Sequence, residues 1–217
     1  MRNLGIYTKY SINLFQESVV PARSVGLRSD DSANDPVGHD DTVERDDLAG
    51  RLQRICRLNG RFVLRSGQVS EFYFDKYQFE ADPQLLKAVS DLAVGLVPVG
   101  TEVLAGLELG GVPVATAMSL ATGLPQVLVR KQAKSYGTAK LAEGPDIDGR
   151  QILVVEDVIT TGGQVVASTE ELRSLGAVVE SVLCVIDRRP DPAGPDKLSD
   201  AGLSVISLFT TNDLGGS

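Results

Sequence analysis

The chain has 217 residues, 42% hydrophobic and 23% charged, with a formal net charge of −8. That balance fits one globular domain with a modest appendage and excludes a disordered chain, a fibrous rod and two large domains. No apolar run approaches the about 20 residues that span a bilayer, and 5% aromatics without Trp argue against a stacking surface for single-stranded nucleic acid.

In chain order, residues 1–27 lack clear periodicity, and Asn13, Gln16 and Glu17 interrupt the apolar run a signal peptide would need. Residues 28–47 hold eight of the 29 acids against two arginines, which leaves 21 acids and 19 bases elsewhere. Residues 1–45 therefore read as a poorly ordered acidic leader, and 46–217 as the folded domain. A basic footprint for DNA is missing, so neither a nucleic acid nor a membrane is expected as partner. Asp46 or Asp47 is placed to cap a helix reaching Leu58, with Leu48, Leu52 and Ile55 on one face. Residues 62–76 read as extended pieces around a Ser66-Gly67 turn.

From residue 83 the pattern becomes regular. Helices are predicted over 83–97, 111–122 and 163–175, and strands over 103–107, 126–130, 151–155, 179–186 and 204–208. Short Val-, Ile- and Leu-rich strands alternating with helices predict an α/β fold: a doubly wound, mostly parallel sheet flanked by helices. Ligands of such sheets bind at the carboxyl ends of the strands.

Cys56 and Cys184 are the only cysteines and have no metal spacing; buried thiols in a reducing, cytoplasmic compartment are expected. His39, in the acidic leader, is the only histidine. A Ser-His-Asp triad and a multi-histidine metal site are excluded by count.

The strongest signal is QILVVEDVITTGGQ, residues 151–164. An apolar strand runs into Glu156 and Asp157, then Thr160, Thr161, Gly162 and Gly163 open a helix. Two hydroxyls, unhindered glycine amides and a helix N-terminus make a seat for a phosphate dianion. Carboxylates just before it suit sugar hydroxyls, or a nearby Mg²⁺. Together they imply a ribose 5-phosphate. The Walker lysine and the dinucleotide GxGxxG are both absent. The bland reading is an ordinary strand-turn-helix with an acidic turn.

VVEDVITTGG resembles the phosphoribosyl-diphosphate (PRPP) signature of type I phosphoribosyltransferases. The resemblance implies that Glu156 and Asp157 contact the ribose hydroxyls. It also implies that Val158, Ile159, Thr160, Thr161, Gly162, Gly163 and Gln164 form the phosphate loop.

VRKQAKSYGTAKLAEG, residues 129–144, resembles the mobile catalytic loop of orotate phosphoribosyltransferases. It implies diphosphate-binding roles for Arg130, Lys131, Lys134 and Tyr136, with Lys134 and Arg130 catalytic beside Asp157. Tyr136 stands where many members carry His. FVLRSGQVSEFYFDK, residues 62–76, resembles the family's N-terminal substrate motif, the small N-terminal hood, with Phe72 and Tyr73 flanking the base. Arg65 stands where some members carry Lys. LCVIDRRP resembles the strand end whose Arg, here Arg188, binds the orotate carboxylate, with Thr160 beside it. ELGGVPVAT resembles the family's G-[IV]-P element near the diphosphate, with Gly110 where many relatives carry Lys.

The resemblance covers about residues 48–210. It implies transfer of ribose 5-phosphate from PRPP to orotate, giving orotidine 5′-monophosphate and diphosphate in de novo pyrimidine biosynthesis. The implied cofactor is Mg²⁺, held mainly through PRPP near Glu156 and Asp157, with no protein side chain assigned as a direct ligand. The implied partner is a second copy, a homodimer whose basic loop reaches the neighbouring active site. Two alternatives stand beside it: a type I phosphoribosyltransferase for another base, and a PRPP-sensing transcription regulator on the same fold. The orotate-like loop, the hood motif and Arg188 oppose the first. An acidic leader without a helix-turn-helix pattern opposes the second.

Overall fold

A computed structural model describes residues 41–63, 67, 69–131, 141–189 and 196–215. Most of the acidic leader, Arg65, Ser66 and the loop residues Lys134, Tyr136 and Lys140 lie outside the described residues.

The first helix, α1 (Asp41–Cys56), begins before the anticipated Asp46 and stops before Leu58. Leu48, Leu52 and Cys56, spaced four apart, are its buried stripe. The chain then enters an antiparallel ribbon, β1 (Arg57–Val63) and β2 (Val69–Phe74), which is the hood. A short helix, α2 (Tyr77–Ala81), follows; its five residues are too few to show a period in the sequence. In α3 (Pro83–Val94) the Asp82 carboxylate accepts the amides of Gln84 and Leu85 at 2.8 and 3.0 Å, a built N-cap.

The remaining elements are β3 (Val103–Leu107), α4 (Gly111–Thr122), β4 (Gln126–Val129), β5 (Ala142–Glu143), β6 (Gln151–Ile159), α5 (Gly163–Ser174), β7 (Val178–Asp187), α6 (Lys197–Asp200) and β8 (Ser204–Thr210). They form a six-stranded sheet in the order β5-β4-β3-β6-β7-β8, parallel except for the β4–β5 pair. This is the doubly wound α/β fold the periodicity predicts.

Each face of the sheet has its own core. On one, Phe79, Leu85, Val89 and Met118 from α2, α3 and α4 meet Leu153, Val155, Leu183 and Leu208. On the other, Val165, Leu172 and Leu198 from α5 and α6 meet Ile152, Val154, Val182 and Cys184. Each fully buried side chain of this size contributes about 1.5–3 kcal/mol. Both cysteines are buried free thiols; burial pushes Cys56 up to about 11, and pushes Cys184 up as well.

One strand differs in a way that matters for the site. β6 does not end at Val155 but continues to Ile159, because β7 pairs with it throughout, from Gln151↔Val178 to Ile159↔Asp187. Glu156 and Asp157 therefore lie within the strand, held by its ladder, rather than on a turn after it.

Candidate active site

The chain leaves β3 toward β4 on one side and returns to β6 on the other. The reversal opens a crevice at the carboxyl ends of β3 and β6, where sheets of this architecture take ligands. Residues 108–110 line it from β3, and residues 160–162 from β6.

The second turn is the candidate phosphate seat. Thr160 and Thr161 are exposed. Gly162 adopts φ +71°, and a Cβ there would crowd Leu198 Cγ at 2.9 Å, so both backbone and space require glycine. The N-terminus of α5 has no side-chain cap, and the first amides of a helix have no intrahelical acceptor. Free amides at a helix start favour an anion there, and the helix dipole adds to them. The Gln164 side chain turns away, donating to Ser168 Oγ at 3.2 Å, so Gln164 offers only its backbone. The Ile159 side chain is buried in the core and its carbonyl accepts the Arg188 amide at 2.8 Å. Val158 likewise packs against a core cluster.

Just before the seat, Asp157 is fully buried. Its Oδ1 accepts the Val158 amide at 2.6 Å and its Oδ2 pairs with Lys76 Nζ. Glu156, also buried, accepts the Asp157 amide at 3.1 Å. Glu80 of α2 brings a third carboxylate, with Oε1 buried. Burial pushes Glu156 and Glu80 well above the usual carboxylate range, and the neighbouring Asp157 reinforces the shift. Burial also pushes Asp157 up, but hydrogen bonds from Glu156, Glu80 and Lys76, with the Lys76 charge, outweigh it and hold Asp157 low. Burial would lower Lys76; the bond and charge of Asp157 raise it instead. Asp157 thus stays anionic, an acceptor for hydroxyl donors, while its acidic neighbours hold protons.

Lys76 and Glu80 escape motif reading altogether. Lys76 ends the hood segment without a pattern of its own, and Glu80 sits on a helix too short to be recognised. The same cluster accounts for Gly110: a Cβ there would overlap the Asp157 carboxylate and fall 2.6 Å from Glu80 Oε1.

A pocket of about 40 Å³ lies between the hood and the end of β7, lined by Gln53, Arg57, Phe72, Phe74, Ile186 and Arg188, among others. Arg188 follows β7 directly, and the Ile159↔Asp187 register sets it beside Thr160. The fold treats Arg188, the residue the resemblance points to, differently from its neighbour Arg189. Arg189 is locked between Asp187 and Asp196, at 2.7 and 2.9 Å, and its hydrogen bond to Asp187 raises it further. Arg188 is left to the cavity. The aromatic pair needs a correction. Tyr73 does not line the cavity: it is 43% exposed and packs on Phe62, ring centroids 5.6 Å apart. Successive strand residues face opposite ways, so Phe72 and Phe74 share the cavity face. The period of two was legible at this strand and would have found Phe74. Arg57, stacked on Phe72 at 4.2 Å, carries no motif signal.

At the base of the basic loop, Arg130 Nε lies 3.9 Å from Glu143 Oε1, and the Lys131 amide donates to Glu108 Oε2 at 3.0 Å. The loop is thereby tied to the turn that follows β3.

Among the described residues, no group of three or more His, Cys, Asp or Glu is placed to hold a metal ion. With Asp157 Oδ2 engaged by Lys76, the oxygen donors fit an Mg²⁺ carried on substrate phosphates rather than a resident ion. Among the described residues, no helix is long and apolar enough to cross a membrane.

Residues 77–212 match the phosphoribosyl transferase domain family. An orotate phosphoribosyltransferase of Nocardioides sp. is 56% identical over 167 residues, covering 77% of this chain and 92% of the relative. One of Halobacterium salinarum is 42% identical, covering 78% and 95%. The crystal structure of the Mycobacterium tuberculosis orotate phosphoribosyltransferase in complex with PRPP superposes with a TM-score of 0.66 at 31% identity, covering 79% of this chain and 99% of that one. An adenine phosphoribosyltransferase from Leishmania donovani, 18% identical with a TM-score of 0.57, shares the fold alone. From the family match over residues 77–212 and relatives covered nearly end to end, the chain belongs to the orotate phosphoribosyltransferases of the phosphoribosyl transferase family.

Proposed function

We propose that this chain transfers the ribose 5-phosphate of PRPP to orotate, releasing diphosphate and orotidine 5′-monophosphate, a step of de novo pyrimidine biosynthesis in the cytoplasm. One observation carries the reading. The Asp157 carboxylate, the Thr160–Gly163 seat and the cavity bearing Arg188 and Phe72 lie side by side on the carboxyl edge of β6 and β7. That order matches a ligand made of phosphate, sugar and planar acid.

The 5-phosphate sits on the residue 160–163 amides and hydroxyls, and Asp157 and Glu156 accept from the ribose hydroxyls. Arg188 presents its guanidinium to the orotate carboxylate through two parallel bonds, while Phe72 and Phe74 cover the ring. The C1–O bond breaks with its electron pair leaving on diphosphate. Orotate N1 forms the new C1–N bond and releases its proton to solvent. The protein's contribution is placement and charge stabilisation, which needs no histidine base. Lys134, with Arg130, Lys131 and Tyr136, faces the developing diphosphate charge. Mg²⁺, when carried on the diphosphate near Glu156 and Asp157, would neutralise part of its charge.

A homodimer completes the site, with the basic loop reaching across. The exposed apolar residues Leu109, Leu120 and Leu128, at 58, 83 and 40% exposure on the α4 side, support such a contact.

Initial rates with PRPP, Mg²⁺ and orotate, adenine, xanthine or uracil test the reading. Turnover with orotate alone is expected; a preference for any other base overturns it.

A further inference from the structure

Lys76, at the very end of the hood segment, and Glu80, outside every motif, have no role in the motif reading, yet they touch the residue proposed to grip the sugar. Asp157 is the member of this carboxylate cluster that keeps its charge, held low by hydrogen bonds from Glu156, Glu80 and Lys76. It is fully buried, with Glu156 beside it on β6, Glu80 facing it from α2, and Asp75 adding negative charge from the loop before α2. Three acids in one half-buried space compete for protons and push each other aside. Lys76 brings a cation into this cluster: its ammonium closes on Asp157 Oδ2 from the N-terminal end of α2. The turn after β3 cannot supply a cation itself, because Asp157 and Glu80 fill the room a side chain at Gly110 would need.

We propose that Lys76 is a positioning residue for ribose recognition: it pins Asp157 by Oδ2 and so presents an ionised carboxylate to the sugar diol. Lys76 acts through Asp157 and does not contact the diphosphate. The Lys76 side chain is 30% exposed while that of Asp157 is 1% exposed, so Lys76 is the solvent-facing member of the pair. Without Lys76, Asp157 shares protons with Glu80 and Glu156, and its oxygens lose their fixed direction. This inference rests on the orotate phosphoribosyltransferase reading.

Three probes dissect the contact. Ribose 5-phosphate carries the diol without the diphosphate, inorganic diphosphate carries the reverse, and PRPP carries both. In calorimetric titrations, Lys76→Ala is expected to weaken ribose 5-phosphate and PRPP by the same factor, tenfold or more. Diphosphate affinity and the KM for orotate stay within twofold. Lys76→Arg recovers most of the loss, because the charge is restored. Lys76→Gln, which keeps the stem and removes the charge, behaves like the alanine variant and replaces it should that variant not fold. Unchanged ribose 5-phosphate binding, loss confined to PRPP and diphosphate, or equal loss of all ligands overturns the proposal. A wild-type chain without orotate-dependent turnover overturns the functional reading instead, whatever Lys76 does.

Discussion

Replacing Asp157 by Asn separates the two jobs this residue could have. The substitution keeps the shape and removes the charge. Asp157 accepts one backbone amide at 2.6 Å and pairs with Lys76. The asparagine carbonyl can keep the amide contact, so the local backbone is not orphaned. Two electrostatic effects on stability oppose each other. The ion pair with Lys76 is lost and the hydrogen bonds from Glu80 and Glu156 weaken, but an uncharged side chain costs less to bury, and the Lys76 ammonium, a third exposed, can turn to water. The melting temperature is therefore expected to move by only a few degrees. Function should respond far more. A hydrogen bond to a charged acceptor contributes about 1.5–3 kcal/mol, so losing one from a ribose hydroxyl raises the KM for PRPP by about 10- to 150-fold. Steady-state kinetics at saturating orotate, with a thermal melt of the same preparation, measure both. A PRPP KM within twofold of wild type, or a collapse of the melt with little kinetic change, would refute the reasoning: Asp157 would then be a buried structural acid.

Arg188→Ala should raise the KM for orotate by about two orders of magnitude through loss of a bidentate contact and leave the KM for PRPP within twofold; equal losses would make Arg188 structural. Lys134→Ala should lower kcat by about 10²–10³, the usual effect of removing one transition-state charge contact; near-full kcat would remove Lys134 from the chemistry. Glu80 and Glu156 are raised by burial, Glu80 to about 8 and Glu156 to about 9. The folded chain then binds more protons than the unfolded one between their ordinary range and those values, so these groups cost stability as pH rises. Melting temperature should fall between pH 7 and 9, and Glu80→Gln, which removes one charge, should flatten that decline. Asp187 is held low: burial opposes this, but the bonds from Arg189 prevail. Its contribution, present at neutral pH, is lost on acidification through its depressed folded value, and Asp187→Asn should reduce the acid-side loss of stability.

The sequence by itself determined the fold class and pointed to Thr160–Gly163 as the candidate phosphate seat. Apolar strands in alternation with helices can bury both faces of a sheet only when helices lie on each side, and β3 and α4 fall on the predicted residues. Thr160–Gly163 is legible because its chemistry is local: contiguous hydroxyls, amides and a helix start need no distant partner. The tertiary structure decided what local patterns cannot carry. It removed Arg189 from the cavity, because Asp196, seven residues on, takes that guanidinium. It chose Phe74 over Tyr73, because the pleat of β2 and the place of the hood fix which face meets the cavity. It also joined Lys76, Glu80 and Gly110 to Asp157, residues up to 81 positions apart whose shared environment exists only once α2 packs against the crevice edge of the sheet.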